Sequence, residues 1–114
     1  MSPITTHILD TSRGTPAAGI RVALDRQTAA ENWTELAVGV TNADGRIADL
    51  LPDAANFTTG IHRLRFATGA YYRSLGVRCF FPEVQILFHV DDPRGHMHVP
   101  LLLNPFGYTT YRGS

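Results

Sequence analysis

The stretch that decides the fold is Val84-Gln85-Ile86-Leu87-Phe88-His89-Val90-Asp91. It alternates with a period of two, and one of its two alternating sets is wholly apolar. This pattern predicts a β-strand with one face in a core and the other in water. The same alternation occurs at three other places, where we expect strands with these inward faces: Ile20, Val22 and Leu24; Leu36, Val38 and Val40; His62, Leu64 and Phe66.

Turn signals separate these strands at short intervals. Asp44-Gly45, Gly14-Thr15-Pro16 and Asp92-Pro93-Arg94-Gly95 are typical of turns between strands. The segment 68–75 lacks the alternation and predicts one short helix. We therefore predict an all-β fold, a two-sheet antiparallel β-sandwich of about seven to eight strands with one short helix.

The composition is that of one globular domain, which we expect to span residues 1–114. Hydrophobic residues make up 44% of the chain and charged residues 18%, which fits neither a disordered tail nor a membrane span. The ten basic residues, all arginine, balance ten acidic residues, so there is no positive surplus to neutralise nucleic-acid phosphates. Apolar runs are far shorter than the roughly 20 residues of a spanning helix. We expect neither nucleic acid nor membrane among the partners.

Two features of the sequence indicate the compartment. Cys79 is the only cysteine, so the chain can form no internal disulfide and a reducing compartment is expected. The opening Met1-Ser2-Pro3-Ile4 has neither the basic nor the apolar region of a secretory signal. Both features favour a cytoplasmic protein.

Two predicted strands carry histidines that a simple core does not need. In Thr5-Thr6-His7-Ile8-Leu9-Asp10, alternation places His7 on the face opposite Thr6 and Ile8. In segment 95–103 the better apolar face consists of Met97, Val99, Leu101 and Leu103. If these four residues face the core, the outward-facing residues are His96, His98, Pro100 and Leu102. An outward leucine beside a histidine suggests that another subunit covers this face.

Other interpretations of these histidines stay open. A single histidine on a strand is more often a surface residue than a catalyst. His96-x-His98 is a spacing that some metal sites use, but there is no second pair of this kind and no cysteine nearby. Spacing alone predicts a small β-sandwich with a histidine-bearing face of unassigned chemistry.

The two ends of the chain resemble a known family. The opening, Ile4-Thr5-Thr6-His7-Ile8-Leu9-Asp10-Thr11 with Gly14-Thr15-Pro16-Ala17, is similar to that of the transthyretin-like family. The close, HVPLLLNPFGYTTYRGS at residues 98–114, resembles the enzymatic branch of that family, the 5-hydroxyisourate hydrolases. The terminal Tyr-Arg-Gly-Ser is the hallmark of that branch and is missing from the hormone-carrying transthyretins. Segments 41–46 and 80–84 are similar as well, so the resemblance spans the whole chain.

The resemblance implies both a site and an assembly. The assembly is a homotetramer whose dimer–dimer channel holds the sites, with neither metal nor cofactor. The catalytic residues that it implies are His7, Arg46, His98 and Ser114. The substrate-binding residues that it implies are His7, Arg46, Tyr111 and Arg112.

The reaction that the resemblance implies is hydrolysis of 5-hydroxyisourate, a strained purine-derived molecule, at the ring amide between C6 and N1. An imidazole with an ordinary pKa of about 6.5 takes and returns protons near neutrality. His7 and His98 can therefore divide the work of base and acid, and the sequence does not say which is the base. Arg46 stays protonated and must bind and stabilise charge. The alternative is a non-enzymatic carrier of small aromatic ligands, which would have no use for these titratable bases.

The terminal residues leave a second question open. A regular strand through Thr110 and Arg112 puts Tyr111 on the opposite face, so Tyr111 and Arg112 cannot serve one site from such a strand. We expect Tyr111 to form a wall of the pocket. Arg112 and Ser114 then either belong to a neighbouring site or leave the strand.

Overall fold

Ten strands, one α-helix and one 3-10 turn make up the computed structural model, which describes residues 2–114. The strands are β1 Ile4–Asp10, β2 Thr15–Pro16, β3 Arg21–Ala29, β4 Asn32–Val40, β5 Arg46–Ile47, β6 Gly60–Phe66, β7 Val84–Val90, β8 Met97–His98, β9 Leu101–Asn104 and β10 Gly107–Thr110. The helix α1 spans Thr68–Ser74, and the 3-10 turn spans Ala54–Asn56. Across the described residues, no helix has the length and apolar character needed to cross a membrane.

The strands form two sheets. In the first, the order is β4-β3-β6-β7 and every neighbouring pair is antiparallel. In the second, the order is β10-β9-β1-β2, and β5 and β8 also pair with β1. The predicted two-sheet sandwich with one short helix is confirmed. Two details differ: β8 and β9 run parallel to β1, and three strands of two residues raise the strand count to ten.

The core lies between the facing sides of the two sheets. From the second sheet β1 contributes Ile4 and Ile8, both fully buried. From the first sheet β3 and β6 contribute the fully buried cross-strand pairs Val22–Phe66 and Leu24–Leu64. Each such side chain stabilises the fold by roughly 1.5–3 kcal/mol relative to exposure. The inward faces predicted for 20–24, 62–66 and 84–90 are confirmed.

One predicted inward face is wrong in part. The pairing of β3 with β4 shifts register after Leu24. A shift by one residue exchanges the two faces of the strand beyond it. Val38 and Val40 are consequently exposed, at 39% and 58%, and Gly39 faces the core in their place. Leu36, on the other side of the shift, packs against the core as predicted.

The prediction that Pro100 faces outward is also wrong. β8 ends at His98 and β9 begins at Leu101, so the alternation does not run through Pro100, which is buried. Proline lacks the N–H of a ladder position, which accounts for the break. The rest of this segment follows the prediction: Met97, Val99, Leu101 and Leu103 are buried, and His98 and Leu102 lie half-buried on the other face.

A buried carboxylate ties β1 to α1. Asp10 accepts hydrogen bonds from Ser12 Oγ at 2.6 Å, from Ser12 N at 3.0 Å and from the Tyr71 hydroxyl at 2.9 Å. Burial raises the pKa of Asp10, but these hydrogen bonds outweigh it and hold that pKa below its ordinary value. The helix is therefore fixed to the strand that carries His7.

Candidate active site

Three of the predicted site residues meet on the outer face of the six-stranded sheet. β1 lies between β5 and β8. Arg46 on β5 is the cross-strand neighbour of His7 on β1. His98 on β8 is the cross-strand neighbour of Thr5, which precedes His7 by two residues and shares its face. Distant parts of the sequence thus supply one polar cluster.

A tight turn positions Arg46. Asn42 Oδ1 accepts the N–H of Asp44 at 2.9 Å and of Arg46 at 3.1 Å, and Gly45 donates its N–H to the Asn42 carbonyl at 2.9 Å. Gly45 has a φ of +75°, and a Cβ there would collide with the carbonyl oxygen of Ile8. The predicted Asp44-Gly45 turn is confirmed, and it fixes where β5 begins.

Hydrogen bonds to β1 fix the backbone around His98. The N–H of Val99 donates to the carbonyl of Thr5 at 3.0 Å, and Thr6 Oγ1 donates to the carbonyl of Val99 at 2.7 Å. In the single chain both site histidines are half-buried and Arg46 is exposed. The face is therefore open to a ligand from outside, while the strands beneath it are held in register.

The surroundings of His98 favour its neutral form. Partial burial lowers the pKa of His98, and the nearby Arg46, His7 and His96 lower it further. A backbone hydrogen bond with Thr5 raises the pKa without cancelling these effects. Since the ordinary histidine pKa is about 6.5, His98 is uncharged at neutral pH. An uncharged imidazole has a free lone pair and can accept a proton.

One hydroxyl contacts two histidines at this site. Thr5 Oγ1 lies 2.8 Å from His98 Nδ1 and 3.2 Å from His96 Nε2. Neither Thr5 nor His96 is among the site residues that the family resemblance implies. The signal that could have found Thr5 is its place two residues before His7 on one strand face.

The chain terminus folds against His98. β10 ends at Thr110, and Gly113 then forms an isolated antiparallel bridge with His98, donating its N–H to the His98 carbonyl at 2.8 Å. A Cβ on Gly113 would lie 2.6 Å from His98 Cδ2, so only a glycine leaves the ring in its position. Ser114 is the next residue and belongs to the same corner of the sheet.

Tyr111 and Arg112 border a different cleft. Both line a cavity of about 350 Å³ between the C-terminal segment and β7, together with Phe88, Met97 and Val99 among others. Of the two alternatives that the sequence left open, the structure shows the second: the terminal residues leave the strand, because pairing stops at Thr110 and resumes only at Gly113. The single chain therefore does not bring Tyr111 and Arg112 together with His7.

Apolar residues continue the site's face along the sheet. Leu9 and Leu102 are cross-strand neighbours, both half-buried, and Thr109 on β10 is the next neighbour of Leu102. At the edge of the other sheet, Leu87 on β7 is 60% exposed. Exposed and half-buried leucines of this kind are found at protein–protein contacts.

The metal-ligand spacing of His96-x-His98 has no third partner in the described chain. Among residues 2–114, no three His, Cys, Asp or Glu side chains converge as a group able to hold a metal ion. The two imidazoles instead share Thr5 Oγ1 as a hydrogen-bond partner.

Comparison with known proteins identifies the family of this chain. The sequence profile of the HIUase/Transthyretin family matches residues 4–113. A 5-hydroxyisourate hydrolase of Salmonella dublin is 45% identical over 111 residues, which cover 97% of this chain and 80% of that protein. The structure of Klebsiella pneumoniae 5-hydroxyisourate hydrolase is similar with a TM-score of 0.84 at 43% identity, covering 97% of this chain and 98% of that one. Sea bream transthyretin in complex with thyroxine is similar with a TM-score of 0.91 at 36% identity, covering 97% and 94%. The chain belongs to the HIUase/Transthyretin family.

Proposed function

We propose that this protein is a 5-hydroxyisourate hydrolase. The observation that carries the proposal is the meeting of His7, Arg46 and His98 on one sheet face, with the chain terminus packed on His98. The relatives include both hydrolases and a thyroxine-binding transthyretin, so family membership alone does not decide between catalysis and carriage. Two imidazoles beside a guanidinium suit hydrolysis, which needs proton transfer and charge stabilisation.

The reaction is the addition of water to C6 and the breaking of the C6–N1 bond. We assign the base to His98, because burial and nearby positive charge keep its imidazole uncharged at neutral pH. His98 accepts a proton from water as the water oxygen bonds to C6. The C6–N1 bond then breaks, N1 takes up a proton, and C6 becomes a carboxylate. His7, on the neighbouring strand of the same face, is the partner that hydrogen-bonds the substrate and delivers the proton.

Arg46 binds the substrate and stabilises the oxyanion that forms at C6. Within residues 2–114 its guanidinium takes part in no ion pair, so its donors are free for a ligand. A guanidinium stays protonated and presents several donors in one plane, which matches a planar ring with adjacent carbonyls. One oxyanion donor is typically worth on the order of 10²–10³ in rate.

The terminal residues complete the proposed site. Ser114 follows the bridge between Gly113 and His98, and we assign it a catalytic hydrogen bond to the substrate. Tyr111 and Arg112 border the cleft beside β7, and we propose that they bind substrate within the assembled protein rather than within one chain. The proposed reaction uses imidazole, guanidinium and hydroxyl groups, and neither metal nor cofactor.

The proposed assembly is a homotetramer with the sites in the channel between dimers. The support is the apolar surface that continues the site's face at Leu9 and Leu102, and the exposed Leu87 on the edge strand β7. Light scattering should give a mass near four times the 12.5 kDa of one chain. A monomer at micromolar concentration would contradict the assembly and the channel site together. A cytoplasmic location is part of the proposal, since one cysteine permits no internal disulfide.

One assay tests the activity directly. The ultraviolet absorbance of freshly generated 5-hydroxyisourate should decay faster with this protein than without it. His7→Ala and His98→Ala should each lower kcat by about 10²-fold or more, the usual scale for a general acid or base. Arg94→Ala, a change at an exposed surface arginine on the loop before β8, should keep full activity. Folded, tetrameric histidine variants with full activity would overturn the assigned site.

The carrier is the second candidate function, favoured by the close likeness to a transthyretin that was solved with thyroxine. A carrier would leave the spontaneous decay of 5-hydroxyisourate unchanged and would bind an iodinated aromatic hormone. Calorimetric titration with thyroxine, run beside the decay assay, separates the two. Rapid decay without hormone binding supports the hydrolase, and the reverse supports the carrier.

A further inference from the structure

Thr5 holds a position that the reaction described above does not use. Its Oγ1 lies between two imidazole nitrogens, 2.8 Å from His98 Nδ1 and 3.2 Å from His96 Nε2. Both distances are within hydrogen-bond range, and the first is the shorter. Thr5 is also the cross-strand neighbour of His98, and its carbonyl accepts the N–H of Val99 at 3.0 Å. Side chain and backbone of Thr5 thus both contact the segment that carries the proposed base.

Counting protons restricts how this hydroxyl can bond. A threonine hydroxyl has one proton to donate and two lone pairs to accept. It can therefore donate to only one of the two ring nitrogens that face it. If it donates to His96, His98 must donate to it from Nδ1. If His96 donates to it from Nε2 instead, the hydroxyl can give its own proton to His98 Nδ1, which is then the acceptor.

The bonding of Thr5 decides which nitrogen of His98 is free. A neutral imidazole carries one proton, so a protonated Nδ1 leaves a lone pair on Nε2. The Nδ1 edge of the ring is occupied by Thr5, whereas the opposite Cδ2 edge adjoins Gly113 at the chain terminus. A base that serves the substrate must have its lone pair at Nε2, the nitrogen that Thr5 does not contact.

We propose that Thr5 is a positioning residue: it donates to His96 Nε2 and accepts from His98 Nδ1, which fixes His98 in the tautomer with a free Nε2. This inference rests on the proposed function for its catalytic meaning, but the tautomer is a property of the resting protein. His96 then contributes as the acceptor that orients the Thr5 hydroxyl. Thr5 is suited to this work because a β-branched side chain in a strand has few χ1 rotamers.

The titratable groups that face His98 do not select a tautomer by themselves. They are Arg46 from β5, His7 from β1 and His96 from the loop before β8. These groups disfavour a second proton on His98, which keeps the ring neutral. Which nitrogen holds the single remaining proton is then decided by the hydrogen bond at Nδ1, and Thr5 makes that bond.

The test compares Thr5→Val, which keeps the branched shape without the hydroxyl, with Thr5→Ser, which keeps the hydroxyl. The ¹⁵N chemical shifts of the two His98 ring nitrogens report the tautomer in the resting protein at neutral pH. We expect wild type and Thr5→Ser to hold the proton at Nδ1. In Thr5→Val we expect a mixture with the proton partly at Nε2. His96→Phe should shift the mixture in the same direction by less. Thr34→Val is the matched control: Thr34 is exposed on β4, and its substitution should leave the His98 tautomer unchanged.

Kinetics provides the second readout. In Thr5→Val kcat should fall by about 10- to 100-fold, the usual cost of removing the group that orients a functional histidine, with KM little changed. Thr5→Ser should recover most of the rate. A His98 proton found at Nε2 in the wild type, or a tautomer and a kcat that do not respond to Thr5→Val, would overturn the inference. Should the protein lack hydrolase activity while Thr5→Val still moves the proton, the positioning role stands and the proposed function fails.

Discussion

Gly113→Ala should displace the His98 ring without unfolding the protein. Gly113 donates its N–H to the His98 carbonyl at 2.8 Å, and a Cβ on Gly113 would lie 2.6 Å from His98 Cδ2 and 3.2 Å from Cγ. Carbon atoms in favourable contact are about 3.5–4.0 Å apart. Either the ring or the chain end must therefore move by roughly 1 Å.

We expect a movement of this size to have a large effect on the catalytic rate and a small effect on the free energy of unfolding. Misplacing a reacting group by about 1 Å costs on the order of 10²-fold in rate, so we expect kcat to fall by that factor. KM should change less, because Arg46 and His7 stay in place. For folding, the contact at risk is the hydrogen bond from Gly113, worth about 0.5–1.5 kcal/mol. The free energy of unfolding should fall by no more than that.

Gly107→Ala is the matched control for this variant. Gly107 lies at the start of β10, in the same C-terminal segment, but a Cβ there would meet its nearest neighbour, Asn104 Nδ2, at an ordinary 3.6 Å. The absorbance decay of 5-hydroxyisourate gives kcat and KM, and urea unfolding gives the stability. Full activity in Gly113→Ala would refute the packing argument, and an equal loss in Gly107→Ala would show that any added methyl group in this C-terminal segment is harmful.

The remaining predictions concern the charge of Arg46, metal removal, the pH dependence of stability, and the hydrogen bond between Tyr71 and Asp10. Arg46→Lys should lower kcat/KM by about 10²–10³-fold, since one ammonium cannot replace a planar set of donors, whereas Arg94→Lys should not. Activity should survive dialysis against a strong chelator, and a complete loss restored by zinc would indicate a metallohydrolase. Burial lowers the pKa of His62 in the folded state, so the unfolded state binds more protons as pH falls below about 6.5. The free energy of unfolding should therefore decrease below that pH, and His62→Phe should flatten the decrease. Tyr71→Phe should cost about 1–3 kcal/mol in urea unfolding by removing a donor to the buried Asp10.

The strands could be predicted from the sequence wherever a local rule decides them. In β1, Ile4 and Ile8 face the core and His7 faces the other way. The two-residue period of a strand predicts this division from the local sequence alone. The rule fails for Val38 and Val40, because the register shift after Leu24 is a property of two paired strands. The sequence of residues 32–40 alone does not predict that register shift.

The site could be predicted only in pieces. Alternation identified the outward faces of His7 and His98, and the family resemblance supplied Arg46 and the terminal residues. The contact between Thr5 and His98, which are 93 positions apart in the sequence, depends on the parallel pairing of β1 with β8. Local periodicity carries no information about such a pairing. The close contact between Gly113 and the His98 ring could not be predicted for a similar reason. Glycine has no side chain that indicates a role, and the contact is evident only in the folded structure.

Backbone similarity does not separate the hydrolase from the thyroxine-bound transthyretin among these relatives. The TM-score is higher to sea bream transthyretin, at 0.91, than to the Klebsiella hydrolase, at 0.84, although sequence identity is higher to the hydrolase, at 43% against 36%. A fold is maintained by its core, whereas an activity depends on side chains that face the ligand. Gly113 is one residue at which such a difference can be tested, because a Cβ there would lie 2.6 Å from His98 Cδ2. With His98 as the proposed base, Gly113→Ala should lower kcat, whereas a carrier has no reaction rate that depends on the position of this imidazole.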